Sequence, residues 1–353
     1  MADTVRIAVV GLGLWGQNHA LSFADYHRSD LVAVCDLDAQ RAMHYATTYG
    51  CKAVLDYHEL AADPTIAAVS IATPDAQHFA VVMEMLNAGK HVFVEKPFVT
   101  SLDEAVTLAK AARIHAVTTM VDFQLRWHPS YQLIKEAVDN GDLGQPVMGY
   151  IRLSDAIDVA LHWLPWAAES GPQWFLIPHI ADLMYWFFGA VPETVYAVGS
   201  KGVLAAKGVD TYDAIQALLR FPGGGFTTLE SSWIVPNGSA SVTDCQMALY
   251  GTEGRVEFNQ DYAGLEITKE KVTYPWVPVG KRNMYGRLDS FIYEPMRTFV
   301  DCILDGKASP TPFDTGLVNT SIIAACLRSI KSGAPESLRG LETLNSMPAT
   351  AVS

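Results

Sequence analysis

Short apolar runs recur along the first third of the chain at Val5–Val10, Leu31–Cys35, Ala67–Ala72, His91–Val94 and Ala116–Val121, with helix-like stretches between them. Runs of this kind predict strands buried on both faces. Strand and helix patterns in strict turn predict a doubly wound parallel sheet, whose ligands bind beyond the carboxyl ends of the strands. Past Phe123 the pattern changes. A helical stretch at Tyr131–Asp139 gives way to strand-like segments at Val147–Leu153, Glu193–Val198, Ala214–Phe221, Gly225–Trp233, Gln246–Tyr250 and Gly254–Phe258. Phe221-Pro-Gly-Gly-Gly225 reads as a hairpin connection, its glycines able to take positive φ. These segments predict an open, mainly antiparallel sheet in a second, α+β domain. Helical periodicity returns at Phe291–Gly306 and Gly316–Gly333, in helices able to pack back on the domain junction. The expected division is 1–122, 123–340 and a C-terminal tail, 341–353, and no internal repeat interrupts it.

The first run leads directly into Gly11-Leu12-Gly13-Leu14-Trp15-Gly16. In that setting the first glycine permits a tight turn, the second lets the backbone approach a pyrophosphate, and the third lets the next helix pack on the strand. The start of that helix offers free N–H groups and the positive end of its dipole to the phosphates. The second run ends at Asp36, placed about 20 residues past the glycines, where a carboxylate binds the ribose hydroxyls of NAD and repels a 2′-phosphate. No Lys or Arg follows it until Arg41, so NAD is expected over NADP. Thr73-Pro74 and Glu95-Lys96-Pro97 end the third and fourth runs, which places both near the cofactor.

At 353 residues, half of them hydrophobic, the chain is long enough for two cores. The net charge of −13 disfavours a nucleic-acid partner, and no apolar stretch is long enough to span a bilayer. The first strand begins at once, without room for a signal sequence, and the five cysteines are scattered and never spaced CxxC. A cytoplasmic protein without a disulfide framework or a metal site is expected.

Lys96 follows an apolar strand and precedes a proline, at the mouth of the nucleotide crevice. There it can hold a substrate hydroxyl as a cation, or lose its proton through desolvation. His179 lies in a helical stretch that begins near Pro178 and ends at Gly189, with Ile180, Leu183, Met184 and Phe187 as its apolar stripe. The dipole of such a helix favours a neutral imidazole at its N-terminus, able to accept a proton. Asp182 would orient partners at the same place. Trp163, Trp166 and Trp174, with His162, and Gln124, Arg126, Trp127 and His128 offer aromatic faces and fork-like donors suited to a sugar ring. Core or interface packing is the plainer role for the tryptophans, and capping for the histidine.

These residues together resemble the Gfo/Idh/MocA oxidoreductases, the family of glucose–fructose oxidoreductase and inositol dehydrogenase. The resemblance rests on Gly11/Gly13/Gly16, Ala72-Thr73-Pro74 with His78, the segment Ala88 to Pro97 with its Glu95-Lys96-Pro97, His179 with Asp182, Gly251-Thr-Glu-Gly254 and the stretch Phe299 to Gly306. It implies a Rossmann domain followed by a domain with an open antiparallel sheet, and homodimers or homotetramers built through that sheet. It also implies NAD(P)-linked chemistry on a sugar, polyol or related carbonyl. Lys96 and His179 are then catalytic; Leu14, Trp15, Asp36, Thr73, Pro74, His78, Glu95 and Lys96 join the glycines around the cofactor; Gln124, Arg126, Trp163, Trp166 and Asp182 meet the substrate. One departure is clear. Many family members carry an Asp four residues before the histidine, and here that position is Phe175, which leaves Tyr293 or Asp213 as other groups able to assist. Two alternatives to a dehydrogenase stay open: an enzyme that oxidises and re-reduces one sugar on retained NAD, in elimination or epimerisation, and a non-catalytic sugar or nucleotide sensor.

Overall fold

The computed structural model of the chain describes residues 4–260, 267–268, 272–273, 282–284 and 287–338. It separates into two units, the first built on Met1–Gln124 and Lys281–Leu317, the second on Leu125–Gly280 and Val318–Glu342. The expected tail, 341–353, lies outside the described residues.

In the first unit, strands β1 (Val5–Val10), β2 (Ser29–Cys35), β3 (Lys52–Val54), β4 (Ala68–Ile71), β5 (His91–Glu95) and β6 (Thr119–Asp122) form one sheet in the order β3-β2-β1-β4-β5-β6. All its pairings are parallel. Helices α1 (Gly16–Asp25), α2 (Ala39–Tyr49), α3 (Tyr57–Ala62), α4 (His78–Asn87) and α5 (Leu102–His115) make the crossovers. Ile7, Val9, Val34, Val69, Val92 and Val94 are buried completely, as strands covered on both sides require. The strand order reverses between β1 and β4, which opens a crevice beyond their carboxyl ends. The edge strand β3 carries one lysine among its three residues and leaves almost no apolar run to detect.

The second unit contains α6 (Pro129–Asp139), β7 (Pro146–Asp155), the single turn α7 (Pro172–Phe175), α8 (Ile177–Phe188), β8 (Thr194–Ser200), β9 (Ala214–Arg220), β10 (Phe226–Ser232), β11 (Thr243–Gly251) and β12 (Arg255–Asn259). Its sheet runs β12-β11-β7-β10-β9-β8, with Glu336–Ser337 as a short last strand, and is antiparallel except where β10 meets β7. The β9–β10 hairpin turns through Gly223 and Gly224, at φ of 84° and 92°. One face of this sheet is covered by α8, which packs on β7 and β10. The opposite face is open among the described residues: Tyr196 and Leu218 stand across from one another there, 41 % and 39 % exposed.

Past β12 the chain returns to the first unit. Helix α9 (Glu294–Asp305) packs on α1 and on β1, β5 and β6, and its Phe299 ring lies 5.5 Å from Phe93. The second domain was expected to run on to residue 340. Helical periodicity fixes which face is apolar but not which sheet that face covers. The boundary between units then falls inside α10 (Phe313–Ser332), between Leu317 and Val318. Among the described residues no helix is long and apolar enough to cross a membrane.

Candidate active site

The turn between β1 and α1 needs its glycines for three separate reasons. Gly11 has φ of +85°, and a Cβ there would stand 2.5 Å from the Ala72 carbonyl oxygen. At Gly16 a Cβ would meet the Gly11 carbonyl oxygen at 1.8 Å. A Cβ on Gly13 would touch nothing within 4 Å, so that side of the turn is open to a ligand. The N-cap of α1 is Trp15, which makes no side-chain capping bond. The helix start therefore fits an anionic group. Leu14 is half exposed beside it, and the Trp15 indole N–H is buried without a partner among the described residues.

Asp36 ends β2 almost fully buried. Its carboxylate accepts the Leu12 N–H at 2.8 Å and the Asp38 N–H at 2.9 Å, and Arg41 approaches it to 3.2 Å. This ties the acidic residue to the glycine turn itself, an arrangement that fits the ribose of a dinucleotide.

Thr73-Pro74 and Glu95-Lys96-Pro97 follow β4 and β5, at the same end of the sheet. His78 joins them: its Nδ1 lies 2.8 Å from the Pro97 carbonyl oxygen and its Nε2 3.0 Å from that of Thr73. Each nitrogen faces a carbonyl oxygen, and the ring lies between the two strand-end turns. Glu95 also turns inward, contacting His19 Nε2 at 3.0 Å and accepting the Lys96 N–H at 3.1 Å. The Thr73 hydroxyl and the Gln124 side-chain oxygen are buried with no partner among the described residues. So is the Tyr293 hydroxyl, whose phenol burial pushes up.

In the second unit Pro178 occupies the first turn of α8, Gly189 caps its end at φ of 65°, and His179 sits in that first turn, 8 % exposed. Ile180, Leu183, Met184 and Phe187 are buried as a stripe. The Asn319 amide donates to the Pro178 carbonyl at 2.8 Å and steadies the turn. Arg126 and Asp182, both expected to read a substrate, are instead given to each other: Nε and Nη2 each reach a carboxylate oxygen at 2.7 Å. Burial pushes the Asp182 carboxyl up while the guanidinium pulls it back, and a charge taken out of water requires such a partner. Trp163 is 53 % exposed, whereas the Trp166 indole N–H is buried without a partner among the described residues. Phe175, standing where a family carboxylate was expected, lies against Trp233 at 5.5 Å between ring centres. Asp213 does not stand in for it, because both its oxygens cap the Val203 and Leu204 N–H groups.

Sequence reasoning passed over His19 and Asp122. His19 lies three residues past Gly16, on the face of α1 turned inward, and Asp122 ends β6 as Glu95 ends β5. The signal available was positional: a polar residue at the carboxyl end of a buried strand.

Residues 5–123 match the family model described as "Oxidoreductase family, NAD-binding Rossmann fold", and residues 131–257 match the C-terminal domain of the same family. The chain belongs to the Gfo/Idh/MocA oxidoreductases. It is 28 % identical to scyllo-inositol 2-dehydrogenase (NAD(+)) of Bacillus subtilis over 96 % of this chain and 97 % of that one. With the D-apiose dehydrogenase of Paraburkholderia graminis it shares 24 % identity, over 95 % and 90 % of the two chains. The crystal structure of scyllo-inositol dehydrogenase from Lactobacillus casei, with bound NAD(H) and scyllo-inositol, has the same fold: TM-score 0.81 at 20 % identity, covering 95 % of this chain and 99 % of that one. The matched Rossmann domain includes the glycine turn and Asp36, and NAD is its dinucleotide.

Proposed function

We propose that this chain is an NAD-dependent dehydrogenase of a sugar, cyclitol or sugar-derived alcohol, with Lys96 and His179 as its catalytic residues. The observation that carries this reading is the lysine at the carboxyl end of β5, in the same unit and at the same sheet end as the Gly11–Gly16 turn. Relatives named for inositols and for apiose supply the substrate class. NAD, when bound, supplies the hydride acceptor. The Lys96 ammonium holds the reacting oxygen and stabilises the negative charge that grows on it, while His179 takes the hydroxyl proton. In the reverse direction the same two groups deliver a proton to a carbonyl. Trp163 and Gln124 are offered as substrate contacts, the indole to the C–H face of a ring and the amide to its hydroxyls.

A homo-oligomer assembled through the open sheet face accompanies this reading, since Tyr196, Leu218 and Val198 there are apolar and exposed. A reducing compartment, the cytoplasm, fits five thiols of which none is in a disulfide. The test is absorbance at the NADH wavelength with NAD or NADP and a panel of inositols, aldoses and polyols. Turnover with NAD that falls by about 10²-fold or more in Lys96→Ala and in His179→Ala is expected. Silence across the panel from protein that holds NAD tightly would favour transient oxidation and re-reduction of one sugar, or a non-catalytic sugar or nucleotide sensor.

A further inference from the structure

Strands β5 and β6 end in register, with Glu95 opposite Asp122. Neighbouring strands lie about 4.8 Å apart, so the two carboxyls are side by side on one face of the sheet. The face is roofed by His19 of α1, whose Nε2 stands 3.0 Å from Glu95 Oε1 and 3.8 Å from Asp122 Oδ2. Its Nδ1 lies 2.8 Å from the Ser70 hydroxyl oxygen. All four side chains are excluded from water. Asp122 Oδ1, also buried, has no hydrogen-bond partner among the described residues. Two carboxyls this close and this dry repel one another when both are charged, which favours a proton on one of them.

We propose that Glu95 and Asp122 hold one proton between them, so that the pair presents a single negative charge to Lys96 and keeps the lysine an ammonium ion. Asp122 is then a positioning residue for the reaction proposed above, acting through Lys96 without touching substrate. Burial, and next the charge and hydrogen bond of Glu95, drive the Asp122 carboxyl well above its ordinary range, opposed by Lys96. Burial also presses Glu95 upward, but the hydrogen bond and charge of His19, with Lys96 and His78, outweigh it and hold that carboxyl below its ordinary value. Environments that push two acids apart in this way assign the proton to one and the charge to the other. Around the pair the charged and titratable groups are His19 from α1, Lys96 beyond β5 and His78 from α4. From the other side α9 brings Phe299 against Phe93.

The assignment predicts a redundancy. Either acid alone can carry a negative charge beside Lys96, so Asp122→Asn and Glu95→Gln each leave that charge in place, and the double variant removes it. Infrared spectra of the purified chain at neutral pH read the proton directly. A protonated carboxyl band is expected in the unmodified chain and absent from both single variants, in each of which the remaining acid ionises. A band that survives Asp122→Asn overturns the proposal. So does a divalent metal found at one per chain in the purified protein and lost in Asp122→Asn, because a cation would then replace the proton. This readout needs no substrate, so failure of the dehydrogenase reading leaves it intact. With a substrate from the panel, the alkaline limb of kcat/KM reports Lys96. It should stay in place in each single variant and fall by about one to three pH units in the double variant. An unmoved limb in the double variant would overturn the coupling to Lys96.

Discussion

Each unit buries charge, and the two do it by opposite means. In the second unit a base answers an acid: Arg126 and Asp182 meet in a two-pronged pair at 2.7 Å, and His128, buried nearby in sequence, stays uncharged, its pKa lowered by burial to about 4. In the first unit an acid meets an acid, and the excess charge of Glu95 and Asp122 is met by a proton, by His19 and by the lysine that the proposed reaction uses. A matched pair needs nothing from its surroundings and serves to fix geometry. A mismatched one stays responsive to protons, which is useful only beside a group whose charge must be held. The contrast separates architecture from chemistry: α8 is anchored by Arg126, while the end of β5 is poised by Asp122.

The largest effect that would break this contrast is removal of one half of the matched pair. Arg126→Met strands the Asp182 carboxylate and should cost about 3–5 kcal/mol of unfolding free energy, read by urea denaturation. Arg126→Met with Asp182→Leu should recover most of that loss. If the single and double variants were equally unstable, the pair would owe its worth to packing and not to charge balance.

Next comes the sign of the pH dependence. Asp122 keeps a proton in the folded chain at pH values where an ordinary Asp, near 3.8, has lost it. The folded state then binds more protons than the unfolded one, so this group lowers stability as pH rises above about 4, by up to about 1.4 kcal/mol per pH unit. Asp122→Asn should flatten the fall between pH 5 and 8 in thermal unfolding, those limits being about the working range of most folded domains. His128 acts in the reverse sense. Unfolded, it takes a proton below its ordinary 6.5, whereas folded it resists until about 4, so its contribution is lost as pH falls through that window. His128 Nδ1 also accepts the Ser130 N–H and caps α6. His128→Asn keeps a capping acceptor and should remove the acid-side loss alone.

Smallest is the surface reference. Lys52 and Glu59 pair at 3.0 Å with more than half of each side chain in water. Lys52→Ala should change stability by less than about 1 kcal/mol, and less still in high salt. A larger loss would mean that burial is not what sets these pairs apart.

The sequence carried the fold a long way because the parallel strands are unbroken apolar runs and the glycine turn has steric reasons that spacing alone expresses. Gly11, Gly13, Gly16, Asp36 and Lys96 all stand at the sheet end where the pattern put them. Side-chain commitments were not legible, since they depend on neighbours distant in the chain. Arg126 and Asp182 are 56 residues apart, and nothing local announces that they satisfy each other. Likewise, His78 looked like a ligand-facing histidine until the Thr73 and Pro97 carbonyls were found on its two nitrogens. That the helix at Phe291–Gly306, expected to pack back on the domain junction, lies on the first sheet was not legible for the same reason. The pairing of Glu95 with Asp122 required knowing that β5 and β6 are adjacent and in register.

The contact between Asp36 and Arg41 bears on how this protein can change. The Asp36 carboxylate, proposed to meet the adenosine ribose, is already accompanied by a guanidinium at 3.2 Å. A neutral side chain in place of Asp36 would remove the group that repels a 2′-phosphate and release a cation suited to holding one. On the proposed role of Asp36, one substitution at the end of β2 is expected to shift the chain's preference between NAD and NADP.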